Sequence, residues 1–138
     1  EPVYLQTGEA AGFAAALAKA AGTTPAALDA KQLVRTLVEH RQMVSFFNDL
    51  KVTDPDPATV AAQYFATRGF FADYNAALDK PLSSAVAKVW DDGFAQLKAG
   101  KLDPATLAAR VHEAQAENSP PSGRTRGAVL LEMWKGLK

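Results

Sequence analysis

Residues 8–21 read G-E-A-A-G-F-A-A-A-L-A-K-A-A, and the reading of this stretch decides the fold class. Alanine is the strongest helix former, so the run predicts a helix that Gly22 stops. Glu9 and Lys19 are its only charges. A surface helix keeps a polar half, whereas one that is small or apolar on almost every side is expected to be buried all round. That burial needs a layer above and a layer below. The helix is therefore either the centre of a bundle or part of a larger α/β body whose sheet lies elsewhere. Just upstream the chain opens on Glu1-Pro2, with no initiator Met and no targeting segment, which reads as a processed or cut start.

Working outward, the punctuation is repetitive. Thr24-Pro25, Asp56-Pro57 and Asp103-Pro104 each set an N-cap acceptor before a Pro suited to the first helical position. Their spacing is irregular, so they are reused capping chemistry and no solenoid repeat. After a short turn at residues 25–28, further helices are expected over residues 29–41, 57–68, 83–99, 104–117 and 126–137, about six in all. Their apolar faces carry Leu33, Val34, Leu37 and Val38; Val60, Ala61, Tyr64 and Phe65; Val86, Trp90, Phe94 (or Val89) and Leu97; Leu107, Val111 and Ala114; and Val129, Leu130, Met133, Trp134 and Leu137. Residues 3–5 and 44–47 read as strands or turns, and N-S-P-P-S-G at residues 118–123 as a breaker and linker. No alternating run is long enough to support a sheet, so the fold class is mostly α.

Composition narrows the function classes. The 138 residues hold 15 Lys+Arg against 15 Asp+Glu, a formal net charge of zero. That balance excludes a counterion-release nucleic-acid binder and a polybasic membrane-surface protein. There is no cysteine, which removes disulfides, thiolate catalysis and Cys-ligated metals. Alanine makes up roughly a fifth of the chain, well above ordinary usage.

The stretch E-P-V-Y-L-Q-T-G-E-A-A-G-F-A-A-A-L-A, residues 1–18, resembles the last cofactor-side segment of the FAD-dependent oxidoreductases of the two-dinucleotide-binding-fold, xanthan-lyase-like family. Gly22, Thr24, Pro25, Leu28, Asp29 and Leu33 continue the match, which is specific over about residues 1–50. Glu9 stands where the family pattern has Gln. The resemblance implies that residues 1–43 are the C-terminal end of an FAD-binding domain (strand or turn, flavin-facing helix, second helix) and residues 44–138 a helical accessory domain. Gly8, Glu9, Ala10, Ala11 and Gly12 would then line the isoalloxazine and ribityl end of FAD. A helix N-terminus offers unpaired N–H groups and a positive dipole end to a reduced flavin. No G-x-G-x-x-G fingerprint is present, so this chain alone is not expected to hold FAD tightly or to be catalytic. Its expected partner is the remainder of the flavoprotein.

Other constellations read as structural. His40 and His112 lack helical metal-ligand partners. Asp49, Asp54 and Asp56 share a loop without the Gly and terminal Glu of a calcium loop. Asp91 and Asp92 are exposed helix charges, Ser83-Ser84 a capping pair, and Arg124 and Arg126 loop ion-pair partners. The aromatic cluster Phe46, Phe47, Tyr64, Phe65, Phe70, Phe71, Tyr74, Trp90 and Phe94 is mostly core, with a few rings able to form a sugar-stacking platform. Phe47-Asn48-Asp49-Leu50, then Ala66-x-x-Gly69-Phe70, Asp73-Tyr74 and Pro81-Leu82, also resembles the grammar of S-layer homology repeats, helical modules that bind cell-wall polysaccharide. The T-R-[AG] element expected just after that Pro is Ser83-Ser84-Ala85 here, and a Thr125-Arg126-Gly127 stretch lies far downstream. The second functional reading is accordingly a non-catalytic all-α module that binds a protein or a glycan.

Overall fold

The computed structural model describes residues 2–137, and the chain is mostly α, with six α-helices and one small sheet among the described residues. It forms two compact units, Glu1–Val44 and Ser45–Lys138, each taken here by itself.

Unit 1 holds α1 (Pro2–Ala21), a 3-10 turn (Pro25–Ala27) and α2 (Ala30–Glu39). Gly22 ends α1 at φ 63°, and the Thr23 N–H returns to the Ala18 carbonyl at 2.9 Å. Asp29 caps α2 by accepting from the Lys31 N–H. The α1 face that carries Phe13, Ala14, Leu17 and Ala18 is the more buried one; Phe13 lies against the His40 ring, 4.6 Å between centroids.

Two expectations fail in α1. The strip at residues 3–5 is helical rather than a strand or turn, so the helix begins at Pro2 instead of Gly8. The one sheet among the described residues belongs to unit 2, and without a strand to pair with, this backbone satisfies its donors by extending the helix. Nor is α1 buried all round: Ala18 is its one fully buried residue among those described, because α2 and the 3-10 turn cover a single face.

Unit 2 is built on α3 (Pro57–Ala66), α4 (Ser84–Lys98), α5 (Pro104–Ala116) and α6 (Arg126–Lys135). Helix α3 packs on α6, and α4 on α5. Their side chains close one core around Phe65, Phe70, Leu82, Trp90, Leu107, Val111 and Leu130. Trp90 keeps its polar atom satisfied by donating Nε1–H to the Phe70 carbonyl at 2.7 Å. The α5 and α6 faces read from the sequence are the buried ones, apart from a half-buried Leu137; in α4, Gly93 takes an inward place and Val89, Phe94 and Leu97 are half-buried. After α3 the chain turns at Gly69, φ 83°, where a side chain would strike the Pro104 carbonyl oxygen.

The breaker at residues 118–123 is no linker. It leads into β2 (Pro121–Thr125), which pairs antiparallel with β1 (Pro81–Ser83), Pro81 opposite Thr125 and Ser83 opposite Pro121. Each strand starts on its proline, the position where a missing N–H costs least. The ribbon closes the base of the α4–α5 hairpin, helped by Ser84 N–H to the Pro120 carbonyl at 2.8 Å. So short a pairing leaves no period-2 signal to read.

Candidate functional site

The expected cofactor contacts fall on α1. Gly8, Glu9, Ala11 and Gly12 are exposed, whereas Ala10 is half-buried on the side that carries Phe13 and Ala14. The exposed face continues through Tyr4 at 81% and Leu5 at 72% exposure. A Cβ built on Gly8 or Gly12 would meet nothing within 4 Å, so a flat group could approach the backbone there. The N–H groups of this stretch lie inside a continuous helix and are used in its ladder. Gly8, Ala11 and Gly12 therefore leave an exposed strip without bulky side chains, Glu9 adds a carboxylate to it, and in this conformation the stretch does not present the free donors of a helix N-terminus.

A different arrangement holds unit 2 together. Asp49 accepts the N–H groups of Ala76 at 2.8 Å and Ala77 at 2.7 Å, one on each carboxylate oxygen. Arg126, only 9% exposed, donates Nε–H to the Ala76 carbonyl at 3.0 Å. Its guanidinium lies over the Trp90 ring at 5.1 Å and the Phe71 ring at 5.3 Å. Burial lowers the Arg126 pKa from its ordinary value, and the charges of Asp73 and Asp49 oppose that shift. Arg126 is thus a buried clamp on the loop at residues 70–80 and not the loop ion-pair partner expected. Thr125-Arg126-Gly127, distant in sequence from Pro81, lies beside it in space: the N–H of Arg126 donates to Lys80 and that of Gly127 to Leu78, at 3.0 and 2.9 Å. Gly127 keeps this approach close, since a Cβ there would sit a tight 3.0 Å from the Leu78 oxygen. The α4–α5 hairpin is what separates the pieces in sequence, so no spacing rule could join them.

A cavity of about 540 Å³ opens beside this clasp, lined in part by Asp49, Asp54, Asp56, Thr59 and Asp79. Its carboxylates are engaged locally: Asp54 accepts from the Asp56 N–H, Asp56 caps α3 at the Ala58 N–H, and Asp79 contacts Lys80. No group of three His, Cys, Asp or Glu that could hold a metal ion occurs among the described residues. His40 ends α2, and His112 is exposed on α5 beside Glu113. Ser83 caps α4 through the Val86 N–H, and Ser84 donates to the Pro120 carbonyl. Asp92 pairs with Arg110 at 2.8 Å, Asp91 is exposed, and Arg124 pairs with Glu132.

Of the aromatic cluster, Phe47, Tyr64, Phe65, Phe70, Phe71 and Trp90 are buried and Phe94 is half-buried. Phe46 and Tyr74 are not core: they stand outward at 60% and 67% exposure. Residue type could not separate them from their buried neighbours.

Fold and site together define a mostly α protein of two units, one carrying an open apolar helix and the other a closed helical core. No family model, no curated protein and no solved structure matches the chain.

Proposed function

We propose that unit 1 is the closing piece of the FAD-binding domain of an FAD-dependent oxidoreductase, and that unit 2 is its helical accessory domain. The observation that carries this reading is the outer face of α1. Tyr4, Leu5, Gly8, Ala11, Gly12 and Ala15 are all exposed on a helix with almost no polar side. A water-facing helix keeps a polar half, and an apolar face left open marks a surface that another body covers. The resemblance of residues 1–18 to the flavin-side segment of these enzymes supplies the occupant: the remainder of the flavoprotein, with its bound FAD.

In this reading Gly8, Ala11 and Gly12 give the isoalloxazine ring a wall without side chains, and Glu9 accepts from ribityl hydroxyls. The flavin, when bound, supplies the hydride and electron chemistry; the residues here supply placement. Freeing the N–H groups of residues 8–11 for the ring requires residues 2–7 to leave the helix as the body assembles.

The test uses the polypeptide that contains these residues, isolated from its native source. The expected result is the oxidised-flavin band near about 450 nm, lost in Gly8→Trp and Gly12→Trp. Unit 2 should remain folded in both variants, because nothing lies within 4 Å of either added Cβ. A colourless protein overturns the reading.

A further inference from the structure

The cavity beside the clasp combines exposed acids with a more buried, mostly apolar wall. Asp49, Asp54, Asp56 and Asp79 are exposed, whereas Thr59 and Ala76 are buried and Leu50, Leu78 and Leu131 half-buried. No Lys, Arg or His is among the lining residues. Arg126 is turned to the Trp90 and Phe71 rings, and Lys80 meets Asp79 at 3.6 Å in an exposed pair, which contributes little. A cleft lined by one sign of charge focuses the field and concentrates counter-ions. A carboxylate offers about four acceptor positions, so capping a helix or closing a turn does not exhaust it.

One lining group is independent of the acids. Thr59 is 1% exposed, and its hydroxyl is buried without a hydrogen-bond partner. Thr125, the other hydroxyl residue of the lining, accepts from the Ala128 N–H. A buried hydroxyl left unpaired costs free energy that a Val of the same shape would not. In the wall of an acidic cavity, the Thr59 oxygen is an acceptor without its donor.

Size decides which cation fits. Among the described residues no three acidic side chains converge to hold a metal ion. The cavity measures about 540 Å³, within the range of small-molecule sites. A matching guest is extended, donates at more than one point and brings apolar surface to Leu50, Leu78 and Leu131. A linear polyamine has this make-up, with ammonium groups for the acceptors and methylenes for the leucines.

We propose that the cavity binds a linear polyamine, with the exposed aspartates taking its ammonium groups and the Thr59 hydroxyl accepting one N–H. The site lies within unit 2 and does not depend on the flavin reading. Its charges are open to solvent, so a dissociation constant of about 0.1–1 mM at low salt is expected, weakening as salt is added.

The experiment is an amide NMR titration of the full 138-residue chain with spermidine at low ionic strength, beside one with magnesium chloride. The expected result is saturable shifts with spermidine at residues 49–59, 76–79 and 125–131. Thr59→Val keeps the shape, should hold or raise the melting temperature, and should weaken binding about threefold or more. Asp79→Asn, at an exposed position, should weaken binding at unchanged melting temperature, whereas Asp91→Asn on α4 should leave it as it is. The proposal is overturned by no saturable shift up to ~10 mM spermidine, by shifts spread over acidic residues outside the cavity, or by unchanged binding in Thr59→Val. Magnesium bound at the same residues as tightly as spermidine would assign the site to a divalent cation and overturn it as well.

Discussion

Arg126 donates its Nε–H to the carbonyl of Ala76 at 3.0 Å, while the N–H of the same Ala76 donates to Asp49 at 2.8 Å. One residue of the loop at 70–80 is thus gripped from both sides, by the start of α6 and by the segment that precedes α3. This clasp sets the loop that carries Tyr74 and closes the floor beneath it.

Replacing Arg126 by Met should remove the donor while keeping apolar bulk between Phe71 and Trp90. The Ala76 carbonyl loses a charged partner, for a cost of about 1.5–3 kcal/mol. Urea denaturation followed by tryptophan fluorescence measures it, and an unchanged midpoint would contradict the clamp.

Asp49→Asn keeps the shape and removes the charge that holds the Ala76 and Ala77 amides. A loss of about 1.5–3 kcal/mol is expected. Because both residues act through Ala76, the double variant with Arg126→Met should lose less than the two single losses combined, by about 0.5 kcal/mol or more. Full additivity would show that the two contacts are independent.

Much of this architecture was legible from local chemistry. Asp56-Pro57 and Asp103-Pro104 start their helices as capping rules require, and Gly22 ends α1 with positive φ. The inward faces of α5 and α6 followed from helical periodicity. What stayed hidden is long-range. Nothing local announces that Thr125 pairs with Pro81, or that Arg126 is buried under two rings. The start of α1 was misplaced because residues 3–5 carry a strand's residue types but find no strand to pair with. Among the expected site residues, helical phase alone separates half-buried Ala10 from exposed Gly8, Ala11 and Gly12, and the buried face could not be picked out because the run is small or apolar on nearly every side.

Gly69→Ala should destabilise unit 2 severely. The position holds φ 83°, which costs a side chain about 1–3 kcal/mol by itself. The added Cβ would also meet the Pro104 oxygen at 2.0 Å, a backbone atom that cannot swing aside. Circular dichroism melting should show a large drop; a wild-type melting temperature would mean that α5 does not seat on this turn.

Acid should loosen the start of α5. Hydrogen bonds from the Thr106 side chain, and then from its amide, hold the Asp103 carboxyl below its ordinary pKa. A depressed folded-state pKa stabilises the fold above the unfolded value, and that contribution is lost as pH falls through the folded one. The melting temperature should therefore decline on acidification through and below the usual carboxylate range, and Asp103→Asn should flatten part of that decline. An identical pH profile for the variant would remove Asp103 from the account.

The measurement that bears most directly on the central claim is the absorption spectrum of the natively isolated polypeptide that carries residues 1–138. A yellow protein with a band near about 450 nm that bleaches on reduction is predicted, together with loss of the band in Gly8→Trp and Gly12→Trp. A colourless protein, or a flavin retained undiminished in both variants, would contradict a role for the open face of α1 beside the cofactor.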